Sequence, residues 1–134
     1  MPDVIIKIAG IDKVLRKLGT LKGQDVLIAP MQESLVTLEA DMKLYPMPRP
    51  GSTYIRTMVL HDRWTIAPIE RTGHGIRGRI GNDTEYGPFV QSSILQSAVH
   101  RGRWQTDAQV VQRRRAWIVA RFKRAIDQAL NRSV

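Results

Sequence analysis

Cysteine is absent from the 134 residues, which excludes disulfide staples, thiolate metal ligands and a thiol nucleophile. No apolar run approaches the ~20 residues that a membrane-spanning helix needs. The opening MPDVIIKIAG carries an acid at Asp3 and no basic leader before its short apolar stretch, so the expectation is a cytosolic product without an export signal. Internal repeats, low-complexity tracts and a domain-scale linker are also missing. The length is that of one domain, 1–134, able to bury roughly two thirds of its unfolded surface.

Catalytic and cofactor patterns are equally scarce. His61, His74 and His100 are far apart and lack the helical or carboxylate-flanked spacing of metal ligands, so no metal and no cofactor is expected. Ser92, Ser93 and Ser97 have no nucleophile-elbow motif around them. GIRGRIG lacks the lysine and the strand-then-helix setting of a phosphate loop. A carboxylate pair for acid–base work would have to come from Asp62, Glu70, Asp83 and Glu85, and turn formation accounts for Asp83 and Glu85 in GNDTEYG. A non-enzyme is the expectation, and a small basic nuclease or toxin-like ribonuclease lacks the polar constellation it would need.

Acids are the minority charge. Twelve Asp and Glu stand against 21 Lys and Arg, for a net charge of +9 and a pI near 10.7. Such an excess favours encounter with nucleic acid or an acidic protein surface without specifying a fold. It is uneven: Arg101, Arg103, Arg113, Arg114, Arg115, Arg121, Lys123 and Arg124 face Asp107 as the only acid between them.

What is present reads as strand, two helices, proline arm, hairpin and further strand, then terminal helix, an α+β chain whose antiparallel sheet is packed by the N-terminal helices and the long C-terminal helix. DVIIKIAG is β-branched and closed by Gly10, a short strand. IDKVLRKLGTL repeats apolar residues at helical spacing and stops at Gly19. After Gly23, Ile28, Met31, Leu35, Leu38, Met42 and Tyr45 recur at intervals of three and four, the stripe of a helix that buries one face. Burial inside the domain is the simpler outcome, because a coiled-coil seam of two heptads is short.

Pro46 ends that helix, and Pro46, Pro48 and Pro50 with Gly51 and Ser52 form a stiff extended arm. RWTIAPIERTGHGIRGRIGND is a hairpin whose first arm places Trp64 and Ile66 on one face and whose second alternates Ile76 and Ile80 with Arg77 and Arg79, one face apolar and the other basic. Pro68 confines its first arm to an edge or a bulge. TEYGPFVQSSILQSAV, broken by Gly87-Pro88, reads as a short strand or a turn of helix. Thr106 and Gln109 form a capping box ahead of a long helix whose stripe runs from Val110 through Trp117, Ile118 and Phe122 to Leu130. Arg114, Arg115, Arg121 and Arg124 fall mostly off the stripe, toward solvent or an acidic or phosphate partner.

YPMPRPGSTYIRTMVLHDRWT, followed by GRIGNDTEYGPFVQ, resembles the minor tail or tail-completion proteins that join head to tail in long-tailed bacteriophages and prophages. In that family a helix ends at a proline segment, a Thr-Gly-x-Leu-type stretch leads to a Trp or Ser and a strand, and a later strand ends in Tyr-Ala or Tyr-Gly before an aromatic. Thr57 to Leu60 and Trp64 match the first part and Ile80 to Val90 the second. Met58 stands where glycine is frequent, and Gln91 to Ser93 replace a frequent Glu-x-Gly.

The resemblance spans Ile11 to Val90. It implies a non-enzymatic virion protein, made in the host bacterial cytoplasm and built into a six-fold ring at the neck or tail end. Its partners would be copies of itself and other neck and tail proteins, with non-specific DNA contact and no membrane. Pro46, Pro48, Arg49, Pro50, Tyr54, Arg56 and Thr57 then form an arm that grips a neighbouring subunit. Arg77, Arg79, Arg114, Arg115, Arg121 and Arg124 would meet DNA or acidic neighbours. The alternative is a basic nucleic-acid-binding protein without catalytic activity.

Overall fold

The computed structural model describes residues 3–7, 20–47, 50–51, 59–73 and 75–132. In chain order its elements are β1 (Asp3–Lys7), α1 (Thr20–Met42), the single-turn α2 (Val59–Asp62), β2 (Trp64–Ile66), β3 (Glu70–Thr72), β4 (Gly75–Asn82), the short α3 (Gly87–Gln91), a 3-10 turn (Ala98–His100) and α4 (Asp107–Arg132). The class is α+β, as the order of patterns predicts. The expected helix over Ile11 to Leu18 lies outside the described residues.

The sheet is organised by β4. Ile76, Gly78, Ile80 and Asn82 are buried while Arg77 and Arg79 are exposed, the period-two alternation of a strand with one face on the core. β1 pairs antiparallel along one side, with Ile5 opposite Arg79 and Ile6 opposite Gly78. Along the other side β2 and β3 follow one another, Trp64 opposite Asn82 and Arg71 opposite Ile76. Between them Ala67-Pro68-Ile69 leaves the ladder, although the Ala67 N–H still reaches the Arg79 carbonyl at 2.9 Å. The expected hairpin is therefore present, and Pro68 interrupts its edge arm because it has no N–H to donate.

α1 covers the inner face of the sheet. Met31, Leu35, Leu38 and Met42 are wholly buried, with Leu27 beside them and Ile28 half-buried at the margin. The helix starts at Thr20, ahead of Gly23. Its first turns are tied to the hairpin by Gln24, whose amide donates to the Thr72 and Gly75 carbonyls at 2.7 and 3.1 Å. Gly78 lets α1 come close: a Cβ there would stand 2.6 Å from Met31 Sδ and 2.8 Å from Leu35 Cδ1. Glycine at this point of β4 thus fixes the depth at which the helix seats.

The far end of α1 falls short of the expected Tyr45. Lys43 N–H bonds to the carbonyls of Glu39 and Ala40, and Leu44 N–H turns to Asp41, so the helix closes in a tightened turn three residues before its predicted end. α4 begins as the capping box predicts. Gln109 N–H donates to Thr106 Oγ1 at 3.2 Å, and Thr106 N–H donates to Gln109 Oε1 at 2.9 Å. α4 lies mainly along α1 and meets the sheet at β1. Val110, Ile118 and Phe122 join the α1 stripe, Trp64, Ile76 and Ile80 in one core.

Candidate interaction surface

Several of the basic residues are paired within the chain, and several are exposed. Arg114 makes a two-pronged bond to Asp41, Nε to Oδ2 at 2.5 Å and Nη2 to Oδ1 at 3.1 Å. That hydrogen bond, with the charge of Asp41, raises the guanidinium's pKa above its ordinary value. About two turns further along α4, Arg121 pairs with Glu33 at 3.1 Å. The Trp117 ring lies between, 5.7 Å from the Arg114 guanidinium carbon and 5.1 Å from that of Arg121. The alternation Asp41, Arg114, Trp117, Arg121, Glu33 runs along the α1–α4 seam as a polar border to the core.

On the sheet, Arg77 binds Glu70 across the hairpin with Nε at 3.1 Å and Nη2 at 2.5 Å. The bond and the charge of Arg77 lower the Glu70 pKa below the ordinary carboxylate range. Arg79, Arg115 and Arg124 are exposed. The residues proposed to meet a polyanion are thus not one patch: Arg77 and Arg79 lie on the outer sheet face, and the others are spread along α4.

Of the proposed arm, Pro48, Arg49, Tyr54, Arg56 and Thr57 lie outside the described residues. Pro46 is half-buried and Pro50 exposed. The root of the arm is fastened to the body of the chain. Trp64 Nε1 donates to the Tyr45 hydroxyl at 3.1 Å, Trp104 packs on the Tyr45 ring at 4.7 Å, and Arg103 donates to the Met47 carbonyl at 2.8 Å. Two glutamines close the end of α1 beneath it. Gln91 donates to the Met42 carbonyl at 3.0 Å, and Gln105 donates to the Leu44 carbonyl at 3.2 Å and to that of Asp41. Nothing in the spacing of Gln91 or Gln105 marks them for this work, since their acceptors are remote in sequence.

Several of the candidate chemical groups are engaged in structure. Asp62 sits 3.1 Å from His61 Nδ1, and Asp83 lies 3.7 Å from Arg63. Asn82 is fully buried, donates to the Leu60 carbonyl at 2.6 Å, and accepts from Thr84 N–H and Oγ1 at 3.0 and 2.7 Å. GNDTEYG is therefore a hydrogen-bonded turn. Ser92 Oγ accepts from the Ile94 and Leu95 N–H groups, which also makes it a turn residue. Among the described residues no group of three His, Asp or Glu side chains is placed to hold a metal ion.

One surface was not foreseen. In the segment from Tyr86 to Val99, read above as a strand or a helical turn, α3 and the 3-10 turn are joined by a tight loop, and only Val90 among its large apolar side chains is buried. Tyr86, Phe89, Ile94, Leu95 and Val99 are exposed, Ile94 to 88%. The loop is nevertheless well held. Ser97 N–H reaches the Phe89 carbonyl at 2.8 Å, Gln96 donates to the Val90 and Trp104 carbonyls at 2.7 and 2.9 Å, and Ser93 N–H bonds Asp107 Oδ1 at 3.0 Å. It is an ordered apolar knob, and five large apolar side chains left exposed on so short a segment are the kind of surface that marks contact with something else. A sequence signal existed: residues 86–100 contain no Asp, Glu, Lys or Arg and follow neither helical nor strand period.

No protein-family model matches the chain, and no significant match is found among curated proteins or solved structures.

Proposed function

We propose that the protein is a non-enzymatic structural subunit of a phage or prophage virion, assembling as a ring at the head–tail junction or tail end, as its resemblance to tail-completion proteins implies. The observation that carries the reading is the ordered apolar knob at Tyr86 to Val99, which an isolated soluble domain has no reason to maintain. The fastened root of the proline arm supports it too, because an arm whose base is already tied down loses less entropy when it docks. Pro46 to Thr57 then grips the neighbouring subunit, with Tyr54 and Arg56 as its anchors, and neighbouring neck and tail proteins complete the assembly.

Non-specific nucleic-acid contact is the second reading, favoured by Arg115, Lys123 and Arg124, which are exposed on α4 without a carboxylate partner among the described residues. Light scattering of the purified protein together with random duplex DNA, at low and moderate salt, separates the two. A multimeric mass with weak binding that vanishes with salt supports the neck subunit. A monomer that binds DNA tightly through moderate salt overturns it.

A further inference from the structure

A molecule with a net charge of +9 repels its own copies, so contact between copies is favoured where cations are absent. The longest stretch without a charged residue other than histidine is 86–100, between Glu85 and Arg101, and the next is 26–32, between Asp25 and Glu33. The first is the apolar knob. The second supplies part of a groove: Ile28, with Leu35 and Val36 from the following turns of α1, faces Ile66, Pro68 and Ile69 on the interrupted sheet edge. That edge belongs to another uncharged stretch, 64–69.

The groove exists because Pro68 lifts the chain out of the ladder between β2 and β3 and leaves α1 partly uncovered beside it. Val36 and Ile66 are exposed there. The space is about 230 Å³, and an apolar cavity of ~150 Å³ already holds benzene. A branched aliphatic side chain therefore fits. Among the described residues Ile94 is the most exposed of the large apolar side chains, and Ser92 Oγ holds its backbone N–H at 3.3 Å.

We propose that the knob, led by Ile94, seats in this groove on a second copy of the chain. The contact is heterologous: each copy offers its knob to one neighbour and its groove to the other, so the contact repeats and closes into a ring when the rotation allows. Its five exposed apolar side chains present on the order of 500 Å² between them, comparable to the largest apolar patch of a typical monomer, which is often functional, and a large part of the ~800 Å² per partner of a stable interface. The inference rests on the proposed function only for the premise that the chain self-assembles.

The test is solution mass by light scattering for the full chain, for Ile94→Glu and for Val36→Glu, with thermal unfolding confirming that both variants fold. Both changes are on exposed positions and place a carboxylate in the proposed contact. The expected result is a multimer for the unaltered chain, a monomer for each variant, and a dimer for their equimolar mixture. In that mixture the intact groove of Ile94→Glu receives the intact knob of Val36→Glu, and neither end can extend. An unaltered chain that is monomeric overturns the assembly reading together with this contact. A multimer that both variants preserve overturns the contact alone, as does a mixture that stays monomeric or a loss confined to one variant.

Discussion

The α1–α4 seam and the loop from Tyr86 to His100 treat side chains in opposite ways. Along the seam Leu35, Leu38, Val110 and Phe122 are buried, and the charges at its border find partners inside the chain, Asp41 with Arg114 and Glu33 with Arg121. In the loop the polar side chains of Ser92 and Gln96 turn inward to hold the backbone, while Phe89, Ile94 and Leu95 face out. The seam is satisfied by its own chain. The loop is held by its own hydrogen bonds while its large apolar side chains stay exposed, and that combination suits a docking surface.

The contrast breaks most severely in the seam. Leu38→Ala, at a position with no exposure, is expected to lower unfolding stability by about 2–5 kcal/mol, read from urea denaturation at fixed protein concentration. Thr106→Ala removes the hydroxyl that caps α4 and should cost about 1 kcal/mol in the same experiment. Phe89→Ser in the loop should leave the stability of the dissociated chain within ~0.5 kcal/mol. Its effect should appear instead in the assembled mass, and a large loss of monomer stability would show that the loop belongs to the core.

The smallest expected effect comes from the outer sheet face. Because Arg77 depresses the folded-state pKa of Glu70, the pair's contribution is present above the unfolded carboxylate's pKa and is lost as pH falls through the lower, folded value. The unaltered chain should therefore lose slightly more stability than Glu70→Gln on acidification through and below the ordinary carboxylate range. Equal slopes would mean that the exposed pair adds nothing measurable.

Local regularity carried much of the fold in readable form. The alternation of Ile76, Gly78 and Ile80 with two arginines, the three-and-four spacing from Met31 to Met42, and the Thr106–Gln109 capping box each describe an element by itself. The ends of α1 were less legible, because Gln24, Gln91 and Gln105 tie its first turns and its closing carbonyls from segments far away. The apolar surface was less legible than the basic one. The basic residues drew attention by their number, whereas the uncharged run 86–100 lacked any period and so gave no sign of which side chains would be left outside.

The sequence by itself determined an α+β chain with an antiparallel hairpin, an edge broken at Pro68 and a capped terminal helix, because periodicity, proline chemistry and capping act over a few residues. Only the tertiary structure decided that Arg114 is occupied by Asp41 and that Ile94 is left exposed. Burial and pairing depend on surfaces brought together from distant segments, and a residue's own neighbours in sequence do not encode which of those surfaces will reach it.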